Sequence, residues 1–224
     1  MLHTRVRGET MLRDLSITEF TKVLGEGKAT PGGGSAAALS ASLAASLTSM
    51  VFNLTIDKKV SKDYPEYVIS MMKDARLKTD TFRERYLELM AEDAKAFDSL
   101  MEAFTLPKET ELEKLKRKKM IAAAKVKVLE IPMNLLNESY EMYDALKVAT
   151  EYGNKNAISD AGVAAILLHG AIEGAALNVF INLASSEVSD ENIVLKGNTD
   201  EVVEKSKILK EDIVSAVIDT IYGR

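Results

Sequence analysis

Apolar residues along this chain recur at spacings of three and four over long stretches and nowhere alternate convincingly, a pattern that predicts helices and no strand. Ser16-Ile17-Thr18-Glu19 has the spacing of a capping box and predicts a short helix that stops near Gly25 to Gly27. Residues 29–56 include no charged side chain, although 28% of the chain is charged. That contrast marks a buried element, read as a central helix over 34–56. Ala37, Ala41, Ala44, Ala45 and Thr48 keep one side of it thin, so neighbouring backbones can approach, while Leu39, Leu43 and Leu47 form a ridge. Tyr64-Pro65 suits a helix start, and no Gly or Pro follows until Pro107. Val68, Met71, Met72, Ala75, Leu89, Met90, Ala94 and Phe97 then keep helical spacing. A fourth long helix is predicted over 109–151, bent at Pro132, where the ring removes one hydrogen bond. Gly153-Asn154 ends it. Ser159 is expected to cap a fifth helix with Asp160 in its first turn. Lys196-Gly197-Asn198 is expected to break the next segment, and Thr199 to open a last amphipathic helix through Ile208, Ile213, Val217 and Ile221.

A helix running from Pro65 to Pro107 would be about 60 Å long at about 1.5 Å per residue, whereas a globule of this chain length is about 45 Å across. The helices overshoot a sphere. The expected architecture is all-α: an elongated antiparallel bundle of long helices, one bent at a proline, whose exposed apolar flanks are covered by pairing into a two-fold homodimer. Residues 1–224 read as one helical domain, with 1–11 expected to be disordered and no repeat or linker dividing the rest.

Composition narrows the chemistry. A net charge of -5 and a pI near 5.3 argue against a nucleic-acid partner. The basic run Lys114, Lys116, Arg117, Lys118 and Lys119 follows Glu109, Glu111 and Glu113, the pattern of a solvated helix face. With no cysteine and only His3 and His169, one chain offers neither a thiol nucleophile nor a cysteine or multi-histidine metal site, so no metal is expected. The uncharged run is long enough to raise the membrane question. Its Ala, Ser, Gly and Thr make it weakly hydrophobic, and the other apolar stretch, 157–186, contains Asp160, His169 and Glu173; no membrane span is expected. Arg5, Arg7, Glu9, Arg13 and Asp14 lack the form of a secretory signal, so a cytoplasmic protein is expected.

Pro31-Gly32-Gly33-Gly34-Ser35 opens the uncharged run. Three glycines free the backbone for conformations a side chain forbids, and a helix beginning there leaves N–H groups pointing outward. This fits an anion site for a carboxylate or phosphate, and equally a softened turn. The loop lacks the Lys of a P-loop and the strand of a dinucleotide fingerprint, which disfavours nucleotides. Gly170, Gly174, Asn178 and Asn182 recur every four residues and share a helix face, where two amides can hold a planar ring or bond neighbouring backbone. Asp93 and Phe97 are one turn apart, joining a carboxylate to an aromatic surface in an apolar neighbourhood that raises an acid's pKa; a helix-helix contact fits the same spacing. Asp160 reads as an acid or a dipole residue, Asn53 as a ligand amide or a structural one, Lys58 and Lys59 as helix-end charges, and His169 as packed.

Thr30-Pro31-Gly32-Gly33-Gly34-Ser35, the small-residue helix to Asn53, Asp93-x-x-x-Phe97, Leu106-Pro107-Lys108, Ile131-Pro132-Met133, Gly153-Asn154, Ser159-Asp160 and Asn178-Val179-Phe180-Ile181-Asn182-Leu183 together resemble, in order, the cyclodeaminase/cyclohydrolase family. The resemblance covers about residues 12–223. It implies an all-helical dimer that binds folate, one branch releasing ammonia from 5-formiminotetrahydrofolate and another opening 5,10-methenyltetrahydrofolate with water. For this chain it implies a stand-alone cyclodeaminase, with cyclohydrolase or a non-catalytic folate-binding or interaction protein as alternatives. The substrate is a tetrahydrofolate derivative, with no metal or redox cofactor. On this resemblance Asp93 and Asp160 carry the proton transfers. Asn178, Asn182 and Asn53 hold pterin or amide groups beside Phe97. Gly32, Gly33, Gly34 and Ser35 hold an anion such as the glutamate tail, polyglutamylated or not, assisted by Lys58 and Lys59.

Overall fold

The computed structural model describes residues 11–186 and 189–224, so the expectation of N-terminal disorder falls, for residues 1–10, outside them, as does His3. Among the described residues all regular structure is helical. Helix α1, Ile17–Leu24, begins at the expected capping box, with Ser16 Oγ accepting the Glu19 N–H at 3.2 Å and the Glu19 carboxylate accepting the Ser16 N–H at 2.9 Å. It ends at Gly25.

Helix α2, Gly33–Asn53, is the centre of the molecule, with α3, Glu66–Thr105, along one side and α6, Ile158–Ala184, along another. Its small residues decide this position. Ala38, Ala41, Ala44 and Ala45 are buried with almost no side chain to hold the neighbours away, and Gly174 of α6 comes so near that a Cβ there would lie 3.0 Å from the Ala37 Cβ. Serines at a seven-residue interval stitch α2 to α3: Ser35 donates toward Met90 and Asp93, Ser42 to the Arg83 carbonyl (3.3 Å) and Ser49 to Asp80 (2.9 Å). Rising numbers on α2 meet falling numbers on α3, so the two are antiparallel. Ser40 meets the Leu167 carbonyl, and Asn154 meets Thr55 and Leu54, which makes α6 antiparallel to α2 as well. Around this seam Phe52, Met72, Tyr86, Leu89, Leu146, Leu168 and Ile172 are fully buried. Each such aliphatic or aromatic side chain contributes about 1.5–3 kcal/mol of transfer free energy.

The 40-residue helix is found as read, with Pro65 as its N-cap. Four boundaries differ. α2 stops at Asn53, not near 56. The helix expected over 109–151 is two, α4, Glu111–Glu141, and α5, Tyr143–Tyr152; the break falls at Met142, and Pro132 lies inside α4. Ser159 is not the cap of α6: Asn154 caps a 3-10 turn at Lys155–Ala157 that leads directly into the helix, and Ser159 lies inside it, although Asp160 does occupy the first turn. Nor does Gly197 break the chain. Helix α7, Asp190–Tyr222, runs unbroken from a Ser189 cap, because one exposed glycine costs only about 1 kcal/mol and packing beyond it outweighs that.

α2 and the segment Lys155–Ala184 are long and apolar enough to cross a bilayer, but 61% and 50% of their apolar windows are buried inside the protein, as in core helices. Their outer sides nevertheless expose Leu43 and Met50 on α2, with Leu54 just beyond its end, and Val163, Ile166, Leu177 and Ile181 on α6.

Candidate active site

The glycine run does not use left-handed backbone. Gly32 is the N-cap of α2 in extended conformation, Gly33 and Gly34 are already helical, and among the described residues the only glycine with positive φ is Gly223. What requires a glycine is space: a Cβ on Gly34 would collide with the carboxylate of Asp93, reaching in from α3. Gly33 is less constrained, since a Cβ there would meet only the Asn178 amide nitrogen at an ordinary 3.7 Å.

Asp93 therefore sits on the N–H groups that begin α2 without a helical partner. One Asp93 carboxylate oxygen lies 2.9 Å from Ser35 Oγ, and the Ser35 backbone N–H also donates to the carboxylate. A helix N-terminus stabilises an anion; here the protein supplies one of its own. Burial nevertheless dominates, and it pushes the Asp93 pKa above the ordinary carboxylate range, with the two hydrogen bonds from Ser35 opposing it. The result is a half-buried acid that keeps its proton to higher pH than an exposed aspartate does. Phe97, one turn along α3, is half-buried beside it.

From α6 come Asn178 and Asn182, both partly buried. Asn178 spends one amide hydrogen on the Gly174 carbonyl at 2.8 Å. Asn182 spends both, on the Asn178 carbonyl (2.9 Å) and on the Val128 carbonyl of α4 (2.7 Å). The second bond has a specific cause. Val128 precedes Pro132 by four residues, and proline has no N–H to give the carbonyl one turn back. Asn182 supplies the missing donor from another helix, and so fixes α4 against α6. Among the described residues its side-chain oxygen has no donor and can accept from a ligand; Asn178 likewise keeps one hydrogen and its oxygen.

The remaining candidates lie elsewhere. Asn53 is eighteen residues beyond Ser35 on α2, and Asp160 eighteen residues before Asn178 on α6, each separation about 27 Å along a helix. Asn53 is exposed and accepts from Arg76 at 3.2 Å. Asp160 has no hydrogen bond or ion pair among the described residues, and Lys58 and Lys59 are exposed. Within one chain, then, Gly32, Gly33, Gly34, Ser35, Asp93, Phe97, Asn178 and Asn182 form one end of the bundle, and Asn53, Lys58, Lys59 and Asp160 the other. Asp93 and Asp160 of the same chain do not face one reacting carbon. The Ser35–Asp93 bond and the Asn182–Val128 bond were missed in the sequence. The serines at 35, 42 and 49 were the available signal for the first, and the interval from Val128 to Pro132 for the second.

Comparison with known proteins gives a consistent grouping. The profile of the formiminotransferase-cyclodeaminase family matches residues 16–200. A methenyltetrahydrofolate cyclohydrolase of Methylorubrum extorquens is 39% identical over 167 residues, which is 75% of this chain and 78% of that protein. The formimidoyltransferase-cyclodeaminase of Gallus gallus is 32% identical over 86% of this chain, but the match spans only 34% of that longer protein. The crystal structure of a formiminotetrahydrofolate cyclodeaminase from Thermotoga maritima superposes with a TM-score of 0.66 at 30% identity, covering 93% of this chain and 96% of that one.

Proposed function

We propose, for a chain that belongs to the formiminotransferase-cyclodeaminase family, that it acts on the one-carbon unit shared by N5 and N10 of reduced folate, closing 5-formiminotetrahydrofolate to 5,10-methenyltetrahydrofolate with loss of ammonia. The observation that carries the site is the half-buried Asp93 carboxylate on the N-terminus of α2, with Gly33, Phe97 and Asn178 around it. Cyclisation is intramolecular, so the protein has to hold the substrate in attack geometry and move protons. As N10 bonds to the carbon of the formimino group, which enters as the protonated amidinium, Asp93 accepts the N10 proton. The same carboxyl then gives it to the departing nitrogen, the old carbon–nitrogen bond breaks, and ammonia leaves the methenyl cation. One carboxyl is both base and acid, and the cycle returns it unchanged. No metal enters this account, and activity is expected to survive a chelator.

Hydrolysis of the methenyl bridge is the second reading, favoured by the 39% identity to the Methylorubrum cyclohydrolase. Water would take the place of N10 as nucleophile; Asp93 would take one of its protons and pass it to N5 as the C–N5 bond breaks, and the remaining hydroxyl proton would leave to solvent as the formyl C=O forms on N10. Under either reading the loop at Gly32–Ser35 lies at the reacting end of folate. Asn53, Lys58, Lys59 and Asp160 reach a folate there only from a second subunit of a homodimer, whose contact we assign to the exposed apolar sides of α2 and α6.

Replacing Asp93 by Asn tests the role. The amide keeps the size but cannot cycle the proton, so turnover should fall by roughly 10²-fold or more while folate binding persists. Near-normal turnover would remove Asp93 from the chemistry.

A further inference from the structure

Ser35 has one hydroxyl proton and two acceptors in reach. Its Oγ lies 2.9 Å from an Asp93 carboxylate oxygen and 3.3 Å from the Met90 carbonyl, one turn earlier on α3, and the side chain is fully buried. A hydroxyl donates once and accepts through its lone pairs. When Asp93 is ionised, the Ser35 proton belongs on the carboxylate, because a hydrogen bond to a charged acceptor is the stronger one. When Asp93 holds a proton, its own O–H can donate to Ser35 Oγ, and the Ser35 proton turns to the Met90 carbonyl.

We propose that Ser35 is a positioning residue for Asp93, its hydroxyl turning between carboxylate and carbonyl so that the carboxyl group stays in one place in both protonation states. This deepens the role given to Asp93 above and rests on it for its catalytic meaning. A carboxyl that works as base and then acid within one turnover needs such a partner: a fixed donor alone favours the ionised form and offers the acid's O–H no acceptor. The Ser35 backbone N–H is a fixed donor, and the hydroxyl beside it supplies the reversibility. Gly34 leaves the space that brings the carboxyl within reach of both.

Among the described residues no charged side chain competes for control of Asp93; burial and the two Ser35 bonds act on it. From α2 it meets Gly34 and Ser35, both uncharged. Of the charged groups near it in the chain or at this end, Glu92 pairs with Arg85, Asp98 accepts from Thr30, Lys95 is exposed on α3, and Lys125 of α4 donates to the Ser185 carbonyl.

The test is a pH titration of the Asp93 side-chain carboxyl by carbon-13 NMR in the ligand-free protein, for wild type, Ser35→Ala and Ser35→Thr. Losing the hydroxyl removes a donor to the charged form, so the Ser35→Ala midpoint should move to higher pH; Ser35→Thr, which keeps the hydroxyl, should titrate as wild type does. The acid limb of kcat/KM should move with it, with turnover about tenfold lower, the worth of one hydrogen bond to a charged group. An unchanged midpoint in folded Ser35→Ala overturns the proposal, as does an equal shift in Ser35→Thr. Ser35→Cys, a weak donor of similar shape, answers the same question if the alanine variant does not fold. The titration is read without substrate, so a protein inactive on folates contradicts the proposed reaction and leaves the test of Ser35 intact.

Discussion

Asp93 is held against its own preference, and that has a measurable sign. Its folded pKa is raised, burial being the largest cause, so between the unfolded and folded values the native state binds more protons than the unfolded one. Its contribution to stability is therefore fully present below the unfolded pKa and is lost as pH rises through the folded one. An Asp93→Asn variant, neutral at every pH, should melt at or above the wild-type temperature near neutrality, and the difference should shrink on acidification. Calorimetry across pH 4–8, where roughly that carboxylate range is crossed, checks this; a variant that melts well below wild type at neutral pH would mean that the carboxylate's bonds to Ser35 outweigh its burial. Asn182 offers a second residue-scale test. Removing its amide in Asn182→Ala leaves the Val128 carbonyl without a donor and should cost about 1–3 kcal/mol. In a Pro132→Ala background, where residue 132 regains an N–H, the same change should cost clearly less. Equal costs in both backgrounds would disconnect the asparagine from the proline.

At the scale of elements, the apolar periodicity was enough to recover most of the fold. The capping box at Ser16, the uninterrupted run after Pro65 and the uncharged small-residue segment each carry a local cause that the sequence displays. Breaks were less legible, because tertiary packing decides whether a weak local signal prevails. Gly197 was overridden, whereas Pro132 stays inside its helix as expected, with Asn182, fifty residues on, satisfying the carbonyl it frees. The same limit hid half of the site. Spacing puts Asn178 and Asn182 on one face, but no spacing within a helix tells that Asp93 of α3 fills the N-terminus of α2, or that Asp160 ends up at the far end of α6. The glycines follow this logic. Gly34→Ala should lose most activity, since its Cβ displaces Asp93, while Gly33→Ala should fold and turn over as well as wild type, an alanine gaining up to about 1 kcal/mol of helix propensity over glycine. Parallel thermal melts and turnover measurements decide it; equal behaviour of the two variants would return the run to a simple turn.

At the scale of the whole molecule, α2 and α6 keep exposed apolar side chains after the chain has folded, and the residues the resemblance assigns to one ligand lie at two ends of the bundle. The homodimer proposed through α2 and α6 would answer both. Sedimentation equilibrium should give twice the 24.5 kDa chain mass at micromolar concentration, and charge placed at Leu43 and Ile166 should halve it; an active monomer would refute the arrangement. The claim on which everything else depends is that this bundle works on the bridge between N5 and N10. Purified protein incubated separately with 5-formiminotetrahydrofolate and with 5,10-methenyltetrahydrofolate, followed through the near-ultraviolet band of the methenyl ring, tests it most directly. The account predicts that the band grows with release of ammonia from the first substrate, and that Asp93→Asn abolishes the growth; a band that instead decays faster than in buffer with the second substrate alone would select hydrolysis. No acceleration with either folate would contradict the account.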